Sequence, residues 1–186
     1  MAQDRMSRGQ SAFNRGDYEE AVTQWEAAAV VDKSLASQAR QKIAKANSCS
    51  SYLSTARNAL RGGRYDAAES AFLKLKGLNP RDPNVSDGLA RCKAGKAALA
   101  KEKEAGQYWN SIKDSWERGK YERYLAQYTD NKNAGDARDM LEKIDDKEAY
   151  TKACSVGTEE AYRSYLETSK WKLYEADANM ALVNLE

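Results

Sequence analysis

Residues 52–80 carry two helical patterns separated by the pair Gly62-Gly63, and this stretch constrains the fold more than any other. The second pattern ends before Asn79-Pro80, because proline lacks the N–H donor of a continuing helix and its ring clashes with the preceding turn. Small and large apolar residues alternate where two antiparallel helices would touch: Ala56, Ala59, Ala67, Ala68, Ala71, Tyr65, Phe72 and Leu75. We therefore predict a helical hairpin. A hairpin of this size buries its apolar stripe only against neighbours, so stacking is expected.

The N-terminal residues repeat this hairpin at a shift of 47 residues. Residues 4–32 hold two helical patterns, and Asp17 with Glu20 three residues later gives the second pattern a capping-box-like start. The shift superposes Gly16, Tyr18, Ala21 and Trp25 on Gly63, Tyr65, Ala68 and Phe72. The chain therefore begins with two copies of one structural unit.

Both units resemble the tetratricopeptide repeat (TPR), a helix-turn-helix unit of about 34 residues. The family's small and aromatic signature positions hold Gly9, Gly16, Tyr18, Ala21, Trp25 and Ala28 in the first unit, and Ala56, Gly63, Tyr65, Ala68, Phe72 and Pro80 in the second. The resemblance implies an all-α, right-handed α-solenoid of stacked helix-turn-helix hairpins. The observed spacing exceeds the usual period by about 13 residues. Residues 35–47 have helical apolar spacing, and they either lengthen the next first helix or form a short helix of their own.

The second half has a repeat of its own at a shift of 41 residues, after one long or kinked helix predicted from about residue 85 to residue 116. The shift aligns Trp109 with Tyr150, Tyr121 with Tyr162, Tyr124-Leu125 with Tyr165-Leu166, Ala137 with Ala178, and Leu141 with Leu182. These units resemble the divergent TPR-like repeats of bacterial envelope proteins, although Tyr124 stands where the family has alanine. We predict TPR-like repeats with extended connecting helices in residues 1–104. Residues 105–186 are predicted to form two divergent TPR-like hairpins, either as a continued superhelix or as a C-terminal cap.

The net charge of +2 is unevenly distributed along the chain. Residues 1–32 carry a net charge of −3, residues 33–103 one of +10, and residues 104–186 one of −5. A basic middle attracts acidic partners or the acidic end of another copy, but we favour a solvated lysine-rich helix face. No apolar run reaches the roughly 18 to 20 residues needed to cross a bilayer, so no membrane insertion is expected. With 41% hydrophobic and 31% charged residues, we expect an ordered, soluble chain.

The chain contains no histidine, which removes Ser-His-Asp and Cys-His nucleophile pairs and histidine-based metal sites. Adjacent acids on a helix point to different faces, so the three acidic pairs are expected on solvated surface. These pairs are Glu19-Glu20, Asp145-Asp146 and Glu159-Glu160. There is no phosphate-binding loop or dinucleotide fingerprint. We therefore expect no enzyme activity, no cofactor, no metal and no small-molecule substrate.

The three cysteines, Cys49, Cys92 and Cys154, stand apart from one another in helical contexts. Such an odd, dispersed set argues against a disulfide framework, and we expect buried free thiols. A bridge between Cys49 and Cys92 is the alternative in an extracytoplasmic compartment.

Five aromatic residues lie close together in the second half: Trp109, Trp116, Tyr121, Tyr124 and Tyr128. Their helical spacing predicts a core stripe. Stacking on nucleic-acid bases, next to the basic middle segment, is the alternative. A helical nucleic-acid-associated scaffold is accordingly our second functional hypothesis, and we do not expect nucleic acid as the main partner.

In the TPR family, the first helices of stacked hairpins line a concave surface that holds peptides or partner helices. By position, this surface would include Met6, Gln10, Phe13, Asn14, Leu53, Arg57, Leu60 and Arg61. The family's carboxylate-clamping version needs lysine and asparagine where this chain has Met6 and Gln10, so we do not expect that mode of recognition. Apolar anchors with arginines suit a segment that combines aliphatic and acidic side chains. Alternatively, Leu53 and Leu60 face the neighbouring helix.

These observations predict a non-catalytic protein-protein interaction or assembly scaffold built from TPR-like repeats, as a module of a larger bacterial envelope protein. Its partner would be another protein or a peptide segment. The start Met1-Ala2-Gln3-Asp4 fits a start codon in front of a processed N-terminus, which favours the periplasm or cell envelope. It also fits an ordinary cytoplasmic beginning.

Overall fold

The structure, a computed structural model, describes residues 1–185 and consists of α-helices joined by short connections. The described residues contain no β-strand, so the predicted all-α class is confirmed. The helices are α1 (Ala2–Asn14), α2 (Tyr18–Val31), α3 (Ala36–Arg61), α4 (Tyr65–Leu78), α5 (Pro83–Ile112), α6 (Arg118–Gln127), α7 (Ala134–Val156), α8 (Glu159–Thr168) and α9 (Glu175–Val183). A single 3₁₀ turn, Lys33–Leu35, joins α2 to α3.

The chain divides into two compact units, one of residues 1–99 and a second that begins at Ala100. The boundary lies within α5, the long helix predicted for this part of the chain. The first unit has one buried core and the second has two, and each unit is described by itself below.

In the first unit, consecutive helices pack against one another: α1 on α2, α2 on α3, and α3 on α4. When 47 is added to the residue numbers of α2, its first and last residues coincide with those of α4. The same addition places the last residue of α1 on the last residue of α3. Gly16 and Gly63 occupy equivalent turns with φ angles of 79° and 66°, where a side chain is disfavoured. The two predicted hairpins are therefore present. Residues 36–47 belong to α3, so the extra residues lengthen the next first helix.

Aromatic rings pack directly on glycines at contacts between helices of the first unit. The Trp25 ring covers Gly9, and its indole N–H donates to the Met6 carbonyl at 3.2 Å. The Phe72 ring covers Gly88 of α5 in the same way, and a Cβ at either glycine would overlap the ring. Because the rings occupy the space that a methyl group would need, these glycines allow the helices to meet at full packing density.

The second unit repeats a shorter hairpin. When 41 is added to the residue numbers of α6, its first and last residues coincide with those of α8. The same addition places the first residue of α7 on the first residue of α9. The equivalent tyrosines Tyr121 and Tyr162 are both buried, as are Tyr124 and Tyr165. The repeat predicted for the second half is therefore present.

The aromatic stripe is mostly core, as predicted, but Trp116 is an exception. Tyr121, Tyr124 and Tyr128 are buried, and Trp109 packs against them. Trp116 is 46% exposed because residues 113–117 connect α5 to α6 and do not continue the helix. The Nζ of Lys147 lies 5.0 Å from the centroid of the Trp116 ring. The prediction of a core position was wrong for this residue.

Asp146 also contradicts its predicted position on the solvated surface. Its carboxylate is buried and accepts hydrogen bonds from the Tyr165 hydroxyl at 3.1 Å and from the backbone N–H groups of Lys172 at 3.1 Å and Leu173 at 3.0 Å. The connection between α8 and α9 therefore supplies the polar contacts that water makes with an exposed carboxylate. The neighbouring Asp145 is exposed, as predicted.

All three cysteines are free thiols, and two of them are buried as expected. Cys154 is exposed on the last turns of α7, so the prediction of burial was wrong there. Among residues 1–185, no helix combines the length and the apolar content that crossing a bilayer requires.

The packing of Phe72 on Gly88 predicts that Gly88→Ala destabilises the first unit by about 1–3 kcal/mol, because the new methyl group overpacks the ring. The matched control is Gly77→Ala in α4, where an added Cβ meets nothing within 4 Å. The control should be neutral or stabilising by up to about 1 kcal/mol, since alanine restricts the unfolded chain. Chemical denaturation measures both, followed by the fluorescence of Trp25 in a background in which Trp109, Trp116 and Trp171 are replaced by phenylalanine. Equal effects of the two substitutions would contradict the packing argument.

Candidate functional site

The residues predicted to line a concave surface on α1 are divided between core and surface. Met6 and Phe13 are each 5% exposed and belong to the core of the first unit, where the Phe13 ring centroid lies 5.8 Å from that of Trp25. Their assignment to a binding surface was therefore wrong, because this face of α1 packs on α2. Gln10 and Asn14 are half-buried and joined by a hydrogen bond of 3.0 Å between their amides.

The predicted residues on α3 divide in the same way. Leu53 is 7% exposed in the core and Leu60 is half-buried against it, so both leucines face neighbouring helices. Arg57 and Arg61 are exposed, and the Arg57 guanidinium donates to the Asn84 side-chain oxygen at 2.9 Å. The predicted surface thus loses its apolar anchors and keeps only polar members.

A buried polar network lies behind Arg57. The Tyr18 hydroxyl donates to the Asp82 carboxylate, and the Asn79 amide donates to the Phe13 carbonyl at 2.5 Å and to the Tyr18 hydroxyl at 3.2 Å. Asp82 also accepts from the backbone N–H of Asn84 at 2.8 Å and from its side-chain amide at 2.7 Å. The network ties the start of α2 to the connection between α4 and α5.

The chemistry of this network is structural. Burial, and next the hydrogen bond to Asp82, raise the pKa of Tyr18, so the phenol keeps its proton and remains a donor. Burial also raises the pKa of the nearby Cys49 thiol, which disfavours the thiolate that a nucleophile requires. The cluster therefore fixes the positions of the helices that meet there, with its phenol and its thiol favoured in their protonated forms.

An open apolar groove of about 880 Å³ lies between the end of α2 and the beginning of α3. Its apolar lining consists of Ala29, Val30, Ala36, Ala39, Ile43 and Ala44. Glu26, Lys33, Arg40 and Asn47 complete its wall. Val30 is 82% exposed and is the more exposed of the two large aliphatic side chains in the lining, since Ile43 is half-buried.

The groove has a simple local cause. Alanine occupies four of its lining positions, and a methyl group leaves space between two helices that larger side chains would fill. The 3₁₀ turn between the helices is held by Asp32, whose carboxylate accepts from the Ser34 hydroxyl at 2.7 Å and the Ser34 N–H at 2.9 Å. These two hydrogen bonds lower the pKa of Asp32, so the acceptor stays ionised near neutral pH.

The two walls of the groove carry opposite charge. Helix α3 contains five basic residues and no acidic residue, whereas α2 contains three glutamates and no basic residue. Among residues 1–185, none of the α3 cations lies in an ion pair. Lys42 and Lys45 instead lie over the rings of Trp25 and Phe13, at 5.4 Å and 5.5 Å from the ring centroids.

Sequence reasoning identified one wall of the groove without recognising the site. Residues 35–47 were assigned helical turns, and their apolar members Ala36, Ala39 and Ile43 line the groove. The missed signal was the pair Val30-Val31 at the end of α2, two large aliphatic side chains that are both exposed.

Comparison with protein-family models, curated proteins and solved structures finds no match to this chain. Residues 1–185 contain no group of three or more cysteine, aspartate or glutamate side chains placed to hold a metal ion. The α2–α3 groove is therefore the candidate site on its geometry and charge alone.

The buried network predicts that Tyr18→Phe destabilises the first unit by about 1–3 kcal/mol, because the Asp82 carboxylate loses a donor without access to water. The matched control is Tyr65→Phe, the equivalent position in the second hairpin. The Tyr65 hydroxyl has no hydrogen-bond partner within residues 1–185, so its removal should change stability by less than about 0.5 kcal/mol.

The same pair of variants tests how the contribution of Tyr18 to the stability of the first unit depends on pH. The pKa of Tyr18 in the folded chain is raised above its ordinary value of 10.0. The contribution of the Tyr18 hydroxyl to the free energy of unfolding is therefore complete below about pH 10 and decreases as the pH rises above that value. The stability difference between the wild type and Tyr18→Phe should therefore be smaller at about pH 11 than at about pH 8. A difference that stays constant across this range in chemical denaturation would contradict the assignment.

Proposed function

We propose that the chain is a non-catalytic protein-protein interaction or assembly scaffold that binds another protein or a peptide segment. The observation that carries this proposal is the α2–α3 groove, an open apolar surface with an exposed Val30. Exposed apolar surface with a polar rim is typical of sites at which proteins associate. The groove lies between two helices that share the buried core of the first unit.

We further propose that the hairpins are TPR-like and stack as a right-handed α-solenoid. The equality of helix bounds under the shifts of 47 and 41 residues supports two kinds of repeated hairpin. Within each unit, helices also pack on their neighbours in the chain: α1 on α2, α2 on α3 and α3 on α4 in the first unit, and α6 on α7, α7 on α8 and α8 on α9 in the second. This supports the arrangement, since repeat arrays contact chiefly their nearest neighbours.

The proposal of a non-catalytic role rests on the chemistry of the ionisable residues. The chain has no histidine, and its two buried tyrosine-aspartate pairs, Tyr18 with Asp82 and Tyr165 with Asp146, are engaged in hydrogen bonds that hold helix connections. Groups held in this way stabilise the fold and are poorly placed to move protons for a substrate.

We place this module in a larger bacterial envelope protein, in the periplasm or at the cell envelope, because residues 109–186 resemble the divergent repeats of such proteins. The cytoplasm is the alternative. Cell fractionation of the native gene product with an antibody against the chain distinguishes the two compartments.

A nucleic-acid-associated scaffold is the second candidate, and it is favoured by the five cations of α3, none of which forms an ion pair within residues 1–185. Binding to nucleic acid would be steeply salt-dependent, because each phosphate contact releases a counterion. Binding through the apolar groove would depend on salt much less.

The proposal predicts that Val30→Glu abolishes capture of the partner, because it places a carboxylate beside the apolar lining. Immobilised wild type and variant are incubated with nuclease-treated lysate, and retained proteins are quantified by mass spectrometry. The matched control is Leu73→Glu, which makes the same change at an exposed leucine of α4 outside the groove. A set of proteins retained by the wild type and by Leu73→Glu, and reduced at least about tenfold with Val30→Glu, supports the proposal.

Two outcomes oppose it. Loss of all capture after nuclease treatment supports the nucleic-acid alternative. Equal retention by both variants, each with the circular dichroism spectrum of the wild type, excludes the groove as the binding surface.

A further inference from the structure

We propose that the α2–α3 groove binds an amphipathic helix whose aliphatic stripe enters the groove and whose acidic flank lies along α3. This inference rests on the proposed function as a protein-binding scaffold, and it names the chemistry of the partner segment.

The form of the segment follows from the backbone of the two walls. Both walls of the groove are helices, whose backbone groups away from the helix ends are paired within the same helix, so the groove offers no strand edge to an extended peptide. A segment that enters apolar surroundings must then satisfy its own backbone groups, which a helix does. The groove therefore selects a helix.

The length and stripe of the helix follow from the lining. The lining positions on α3 run from Ala36 to Asn47, which corresponds to about 17 Å along the helix axis, or three turns. Val30 and Ile43 are its large aliphatic members, and the other apolar positions are alanines. Side chains of the size of leucine at i, i+3 or i+4, and i+7 on the partner would reach into the space above those alanines.

The charge of the segment follows from the unpaired cations. Lys33 and Arg40 lie on the groove wall, and residues 33–65 contain seven basic residues and no acidic one. None of these seven cations forms an ion pair within residues 1–185. Carboxylates on the partner flank that faces α3 would complement this field. Glu26 is the one carboxylate on the wall, so the flank that faces α2 is neutral or basic.

The test uses synthetic helical peptides of about 14 residues, roughly four turns, that share one leucine stripe and differ in the flanking residues. One peptide carries glutamates on a single flank, the second carries lysines there, and the third glutamines. A fourth has the composition of the glutamate peptide with its stripe scrambled. Each is titrated into uniformly ¹⁵N-labelled full-length chain, and amide chemical shifts report the affinity and the location of binding.

The expected result is that the glutamate peptide shifts amides at the end of α2 and the beginning of α3, and binds at least about tenfold more tightly than the glutamine peptide. The lysine and scrambled peptides should bind more weakly than the glutamine peptide or not at all. Arg40→Glu should reverse the preference between the glutamate and lysine peptides. The matched control Lys93→Glu makes the same charge change on the exposed surface of α5 and should leave the preference intact.

Several results would overturn the inference. If the lysine or glutamine peptide binds the groove as tightly as the glutamate peptide, acidic recognition is wrong while the proposed function stands. Equal binding of the scrambled peptide would mean non-specific charge attraction. Shifts centred on Gln10, Asn14, Arg57 and Arg61 would move the site to the surface predicted from the sequence.

The absence of binding by every peptide also overturns the inference, and the capture experiment then decides the proposed function separately. If Val30→Glu still abolishes capture of proteins from the lysate, the groove binds a partner that is not an acidic amphipathic helix. Self-association of the chain, detected by sedimentation and abolished by Val30→Glu, would identify a second copy as the occupant.

Discussion

The first unit depends on the contact between a large ring and a residue without a side chain. Trp25 on Gly9, Phe72 on Gly88 and Tyr65 on Gly95 each bring a helix close to its neighbour by placing aromatic surface where a Cβ would otherwise lie. Burial of rings of this size supplies the largest apolar contributions available to the core. Because no helix here covers its own apolar stripe, each of these contacts stabilises two helices at once.

Both units add a buried tyrosine-carboxylate contact to this apolar packing. Tyr18 donates to Asp82 in the first unit, and Tyr165 donates to Asp146 in the second. In each case the carboxylate also accepts backbone N–H groups of the connection that it holds: Asn84 in one unit, and Lys172 and Leu173 in the other. A buried carboxylate is tolerated only with such partners, so each contact specifies the course of a connection that apolar packing leaves undetermined.

The helices were predictable from local signals, whereas the exposure of individual side chains depended on neighbours distant in sequence. Gly16, Gly63 and Asn79-Pro80 follow the ends of α1, α3 and α4, and the backbone preferences of glycine and proline are known from the sequence alone. The burial of Asp146 depends on donors 26 and 27 residues later, which no local pattern indicates. Met6, Phe13 and Leu53 were placed on a surface by family position, and the packing of adjacent helices buries them. The groove was not predicted because it exists where alanine side chains are too small to fill the space between two helices. In a sequence, alanine indicates only a residue that favours helix formation.

The Tyr18 network has a mechanical consequence for the groove. Tyr18 is the first residue of α2, and its hydroxyl is bonded to Asp82, while Arg57 of α3 is bonded to Asn84, which itself donates to Asp82. Helix α2 is thus attached to α3 near both of its ends: through the Tyr18 network at its first residue and through the covalent connection of residues 32–35 beside Val30 and Ala36. A helix of 14 residues is about 21 Å long, so the two attachments lie far apart and resist rotation of α2 against α3. The width of the groove is consequently set before any partner binds, in part from a network that the partner does not touch.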